Sequence, residues 1–192
     1  MGISLSKGGS INLQKADGSA LTNVRLGLGW DSVKKGGFFG GGGGEIDLDA
    51  SAILFDAQGN ALDFVWFSQL ASKDGSIRHS GDNLTGDGDG DDEQIVVNLS
   101  AVNPQVQSIV FVITSYSRQT FDRVANVFAR VVDLSAGENE VTRYDLANGG
   151  NNTASVIAKL QRSGAGWAFV AVGNPANGRT VKDVLKDAAA VL

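Results

Sequence analysis

The stretch IDLDASAILF (46–55) alternates along its length: Ile46, Leu48, Ala50, Ala52 and Leu54 fall on one side, and Asp47, Asp49, Ser51, Ile53 and Phe55 on the other. A period of two is the signature of a β-strand with one face turned to a core. The same period recurs just upstream, where Val24, Leu26, Leu28 and Trp30 alternate with Arg25, Gly27 and Gly29. Downstream, runs rich in Val, Ile and Phe follow one another: LDFVWF (62–67), QIVVNL (94–99), SIVFVITSY (108–116), ANVFARVVD (125–133), VTRYDL (141–146), SVIAKLQ (155–161) and WAFVAVG (167–173). Short turns such as Gln58-Gly59-Asn60 and Asp74-Gly75 punctuate them. With an N-terminal pair at 3–5 and 11–15 this makes roughly ten strands, the pattern of a sandwich or barrel.

Helical signals are confined to two places. At the C-terminus Thr180 can cap with Asp183 as its reciprocal partner. Val181, Val184, Leu185, Ala188 and Leu192 then share one helical face. A single turn at RQTFDRV (118–124) is the other. The expected fold is all-β: a β-sandwich of two mostly antiparallel sheets, a short C-terminal helix packed on it, and one domain spanning 1–192.

Composition narrows the chemistry. The 192 residues include no cysteine and one histidine, His79. Disulfides, thiolate metal sites and cysteine nucleophiles are excluded, and a Ser/His/Asp triad is hard to assemble. No apolar run is long enough to span a membrane as a helix. The start, MGISLSKGGS, lacks the apolar centre of a secretion signal, which makes the cytoplasm the expected location. Its Gly2 and Ser6 fit the short myristoylation pattern, but an ordinary N-terminal strand explains them as well. The run GGFFGGGGGE (36–45) reads as a flexible linker, since no helix follows to complete a nucleotide-binding loop.

One stretch concentrates the charge. In HSGDNLTGDGDGDDEQI (79–95), six of the twelve residues from Asp82 to Glu93 are acidic. Without those six, 15 of the 21 acidic residues remain against 16 basic ones, so the net charge of −5 is one local feature. The absence of a basic excess argues against a nucleic-acid partner.

Crowded carboxylates repel unless they stay solvated or share a cation. Gly86, Gly88 and Gly90 alternate with the acids and let backbone carbonyls turn inward. Carboxylates and carbonyls in a pliable loop suit Ca²⁺, which takes six to eight oxygens, better than the stricter Mg²⁺. The loop is not an EF-hand: starting from Asp87, Asp92 stands where glycine is needed and Asn98 where a bidentate glutamate belongs. Asp47 and Asp49 lie on one strand face about 7 Å apart, and Asp31 ends an apolar strand. If these three meet the loop, the acids suffice for two ions. The plainer reading makes them turn-forming or solvent-facing residues.

GLGWD (27–31), DLDASA (47–52), HSGDNLTGDGDGDDEQI (79–95), TRYDL (142–146), GWAFVAVG (166–173) and the opening ISLSKGGSINLQK resemble, in order, the TerD family of tellurium-resistance and chemical-stress proteins. The resemblance implies a calcium-binding β-sandwich without established catalysis, working in the cytoplasm. Its implied partners are other stress-resistance proteins of the same gene cluster, through which it would lie near the membrane. Carried over, the metal ligands fall among Asp31, Asp47, Asp49, Asp82, Asn83, Asp89, Asp91, Asp92 and Glu93, with carbonyl oxygens from Gly86 and Gly88. Two features depart from the family: the Gly-rich segment before Asp47, and a C-terminus, RTVKDVLKDAAAVL, without a Gly-Gly-Leu turn.

The competing function is a metal-assisted hydrolase acting on phosphoesters through the same carboxylates. Beyond them no nucleophile or base is evident, and His79 reads as a loop or rim residue orienting the acidic turn. Direct chemistry with soft oxyanions lacks sulfur ligands. Arg118, Arg123 and Arg130 read as an anion or partner surface or, more commonly, as scattered solvent-facing arginines, and Trp30, Trp66 and Trp167 as core or rim packing.

Overall fold

A computed structural model describes residues 2–32, 47–81, 90–135, 137–146 and 150–192. Twelve strands appear among them: β1 (Ile3–Leu5), β2 (Ser10–Asn12), β3 (Asn23–Ser32), β4 (Leu48–Phe55), β5 (Ala61–Val65), β6 (Ile77–His79), β7 (Glu93–Asn98), β8 (Ser108–Ser115), β9 (Val124–Asp133), β10 (Asn139–Asp145), β11 (Ala154–Ser163) and β12 (Gly166–Ala176). They form two six-stranded sheets, ordered β1-β10-β9-β3-β7-β6 and β2-β12-β11-β8-β4-β5. Among the named strands, all pairings are antiparallel except β1 with β10.

The alternation read in the sequence becomes the inter-sheet core. Leu26, Leu28 and Trp30 of β3 and Ile95 and Val97 of β7 meet Leu48, Ala50, Ala52 and Leu54 of β4, with Phe111 and Ile113 of β8. The opposite phase of β4 differs in kind. Ile53 and Phe55 join Val110, Val112, Val156, Val181, Val184 and Ala188 in a second apolar cluster outside the second sheet. The C-terminal segment therefore roofs that sheet, and β4 and β8 are buried at every residue.

The terminal helix is shorter than its pattern suggests: α1 covers only Leu185–Ala189. Asp183 Oδ2 accepts the Thr180 N–H at 3.0 Å, so the expected capping partner is engaged one turn before the helix proper. Val181, Val184 and Ala188 are fully buried, but Leu192 is 41% exposed. It leaves the expected face because the helix has ended at Ala189. Lys159 Nζ donates to the Val191 carbonyl at 2.6 Å and ties down the chain end without a Gly-Gly-Leu turn.

Other differences are local. β2 stops at Asn12 and does not run to 15, because a turn follows and Gln14 bridges Ala20. The helical turn expected at 118–124 is a single 3₁₀ turn, Phe121–Arg123. Strand β6 has three residues, too few for a period to be visible. Trp30 and Trp167 are core residues, and the Trp167 indole N–H reaches the Leu99 carbonyl. The Gly-rich segment 36–45 lies outside the described residues.

Candidate metal centre

The end of β3, the start of β4, the end of β6 and the start of β7 lie at one end of the sandwich. That follows from the registers: Leu28 pairs with Glu93, and His79 with Ile95. The acidic segment connects β6 to β7 at this end. Of the candidate ligands, Asp82, Asn83, Gly86, Gly88 and Asp89 lie outside the described residues. Asp31, Asp47, Asp49, Asp91, Asp92 and Glu93 are described, and the fold distributes them over three locations.

The first lies between the sheets. Strand β5 runs beside β4 only from Ala52 onward. The peptide groups of Ala50 are taken up by side chains instead: its N–H donates to Glu93 Oε2 at 2.6 Å, and its carbonyl lies 3.1 Å from His79 Nε2. A buried backbone group needs a partner, and two residues flanking the acidic segment supply it. The Gly81 N–H donates to His79 Nδ1 at 3.0 Å. With Nδ1 accepting, a neutral ring carries its proton on Nε2, directed at the Ala50 carbonyl and at Glu93 Oε2, 3.3 Å away. Both side chains are 1% exposed, so neither faces a substrate cleft. His79 thus holds Gly81, just ahead of the acidic segment, and Glu93 ties the segment's last residue to the opposite sheet.

The second location is the outer face of the first sheet. Asp92 extends the ladder: its N–H donates to the Leu28 carbonyl, and its Oδ2 accepts the Trp30 N–H at 2.7 Å. Burial, followed by the charges of Asp31, Asp91 and Glu93, pushes the Asp92 carboxyl above the usual carboxylate range despite the Trp30 hydrogen bond. Asp31 is exposed at the end of β3 and accepts the Asn126 amide at 2.6 Å.

Asp91, one residue before Asp92, is treated differently. Its side chain is fully buried, with Oδ1 2.6 Å from Arg130 Nε and Oδ2 3.7 Å from Arg25 Nε. The hydrogen bond to Asp91 raises the pKa of Arg130 further, keeping it charged. The Asp91 carboxylate lies over Gly27, where a Cβ would come within 2.2 Å of it. At Gly29 a Cβ would strike the Phe128 ring at 2.3 Å and the Gly90 carbonyl at 2.8 Å. The glycines of GLGWD therefore make room for the end of the acidic segment. The glycine spacing was visible in the sequence, but its meaning was not. Arg25 and Asn126 carried no signal, since each matters only through a residue distant in the chain.

The third location is the outer face of the second sheet. Asp49, 4% exposed, follows the phase of Ile53 and Phe55, away from Glu93. Asp47 is half-buried just before β4. Asp92 thus lies against Trp30, the chain neighbour of Asp31, while Asp49 follows a different face. Among the described residues no three carboxylates or histidines stand together as a metal cluster. The donors available are all oxygens, hard ligands of the kind calcium takes.

Comparison with known proteins agrees with this architecture. A TerD domain model matches residues 1–187. The chain is 45% identical to tellurium resistance protein TerZ of Serratia marcescens over 188 residues, 96% of each chain. It is 41% identical to stress response protein SCP2 of Bacillus subtilis over 198 aligned positions, 96% of this chain and 98% of that one. In fold it is similar to the crystal structure of a homologue of the telluride resistance protein TerD from Streptomyces coelicolor A3(2), with a TM-score of 0.67 at 23% identity over 85% of this chain and 95% of that one. The relatives are named for resistance and stress response, and none of these names denotes an enzyme. Among the described residues no helix is long and apolar enough to cross a membrane. The chain belongs to the TerD family of tellurium-resistance and stress-response proteins.

Proposed function

We propose that this protein is a non-enzymatic, calcium-binding member of the stress-response machinery, acting in the cytoplasm beside other proteins of the same resistance gene cluster. Any approach to a membrane would run through those partners. The observation that carries the reading is the Asp92 carboxylate at the root of the acidic segment, held on the Trp30 N–H next to Asp31 in the chain. The carboxyl of Asp92 is raised by burial and by three neighbouring acids, negative charge that a divalent cation would offset. Asp31 and Asp92, with Asp82, Asn83, Asp89 and the carbonyls of Gly86 and Gly88, would supply the oxygens. Asp91, clamped by two arginines, would act as the strut that fixes the segment. Asp47 and Asp49 would serve a second ion. Calcium would supply charge neutralisation there, ordering a surface for a partner protein.

Calorimetric titration with CaCl₂ tests this directly. We expect saturable binding that weakens on the order of tenfold in Asp31→Asn, as one ligand charge is removed. Calcium at 100 times Kd should stabilise the fold by about 2.7 kcal/mol over the EDTA-treated protein. An unchanged melting temperature between EDTA and millimolar calcium would sink the proposal. A stoichiometry of one, unaffected by Asp49→Asn, would remove the second ion.

A further inference from the structure

On the roof side of the second sheet three aromatic rings meet at the surface, away from the carboxylates of the first sheet. Trp66 and Phe67 lie with ring centroids 4.6 Å apart, and Phe67 meets Tyr116 edge-on at 6.0 Å. Lys182 stands over the Trp66 ring at 5.2 Å, and the Arg179 guanidinium over Tyr116 at 4.6 Å. Tyr116 is 46% exposed, and so is Leu70, which flanks the turn carrying the rings. Arg118, two residues beyond Tyr116, is also exposed.

The shelf is rigid. Trp66 and Gln69 exchange backbone hydrogen bonds at 3.0 and 2.8 Å, closing a tight turn. Ser115 receives the Arg118 N–H on its carbonyl and the Gln119 N–H on its hydroxyl. Arg179 Nε donates to the Tyr116 carbonyl at 3.1 Å. Side chains already ordered lose little entropy on binding, and Trp, Tyr and Arg are the residues that dominate protein interfaces.

The groups that cover the rings are cationic, in a chain whose net charge is −5. Asp183, beside Lys182 in sequence, accepts the N–H groups of Arg179 and Thr180 and offsets part of the Arg179 charge, while Lys182 and the exposed Arg118 add to the positive side. We propose that Trp66, Phe67, Tyr116, Arg179 and Lys182 form a docking surface for an acidic segment of a partner protein. The cations that cover the ring faces pair with its carboxylates, and the ring edges take an apolar side chain between them. A membrane anchor would project apolar groups beyond its charged neighbours; here the cations lie on top of the rings.

The test is selection of a random dodecapeptide phage library on the full-length protein, with counter-selection on Arg179→Glu/Lys182→Glu. Recovered peptides are synthesised and titrated by fluorescence anisotropy. We expect an excess of Asp and Glu around an aromatic residue or Leu. Affinity should fall about tenfold or more in the charge-reversed protein and in Tyr116→Ala, and fall further as salt rises. Both variants alter exposed side chains, and their melting curves verify folding. Failure to recover peptides, peptides without acidic excess, or equal affinity for the variants overturns the proposal. Retention on phosphatidylglycerol vesicles in place of peptides overturns it in favour of a membrane surface. Self-association lost in the same variants overturns it in favour of a second copy of this chain.

Discussion

Along β8 every residue from Ser108 to Ser115 is buried, whereas along β7 buried and half-buried residues alternate from Glu93 to Asn98. The two strands belong to facing sheets of one sandwich, yet among the described residues only the sheet containing β8 is roofed. Val181, Val184 and Ala188 close over its outer apolar residues. The other sheet leaves its outer face to charged side chains, with Asp91 held between Arg25 and Arg130 and Glu140 beyond. One face is fixed by exclusion of water and the other by electrostatics. Substitutions on the two faces should therefore fail in different ways and by different amounts.

The largest effect should come from the roof. Val184→Asp puts a carboxylate into a fully buried apolar site and should cost about 3 kcal/mol or more in urea unfolding. Val96→Thr, at a half-buried position of β7, should stay within about 0.5 kcal/mol. Similar losses at the two positions would break the contrast between roofed and open sheets.

Next in size is the arginine clamp. Removing one partner of a buried ion pair costs about 3–5 kcal/mol when both charges are buried. Arg130 is partly exposed, so Arg130→Met should cost about 2 kcal/mol. Adding Asp91→Asn to Arg130→Met should recover part of that loss, since the stranded charge is then gone. Strictly additive losses would mean that the pair contributes nothing.

A smaller cost is expected at Gly27→Ala. The new methyl would collide with the Asp91 carboxylate, and overpacking of this kind costs about 1–3 kcal/mol. A neutral Gly27→Ala would show that the end of the acidic segment does not lie on β3.

The smallest effect belongs to the turn that crosses between the sheets from β5 to β6. Partial burial works against the Asp74 carboxylate, but hydrogen bonds from Ser72, Ser76 and Asn103 outweigh it and hold the pKa at about 2. The ordinary value is 3.8. A depressed carboxylate stabilises the fold above its unfolded pKa, and that contribution is lost as pH falls through the folded one. The stability gap between wild type and Asp74→Asn should therefore close between about pH 4 and pH 2. Because the group is largely solvated, the gap should be under about 1 kcal/mol. A gap that does not change with pH would remove Asp74 from the acid response.

Much of the fold could be read in the chain. Two alternating stretches, seven runs rich in Val, Ile and Phe and the N-terminal pair mark eleven of the twelve described strands within a few residues of their bounds. β6 escaped because three residues carry no period, and α1 was overextended because Leu192 continued the apolar spacing beyond the helix end. His79 differs from the loop or rim residue its sequence context suggests: it is buried in β6, where its ring meets Gly81 and Ala50, and the acidic turn itself lies outside the described residues. The arginine clamp was invisible: Arg25, Asp91 and Arg130 come from three parts of the chain, and nothing local ties them together.

By itself the sequence determined that this chain forms a two-sheet sandwich and that its acidity is gathered in one Gly-rich connection. Alternation and turn residues are local, and local chemistry is enough to specify them. Only the tertiary structure decided which acids keep company. The phase of a strand tells which face a side chain takes, but its neighbour there depends on strand order. The order β10-β9-β3-β7 brings Arg130 and Arg25 to Asp91 and sets Asp92 against Trp30. Asp49, by contrast, takes the far face through the phase of β4 alone; what the tertiary structure adds there is the roof of Val181, Val184 and Ala188.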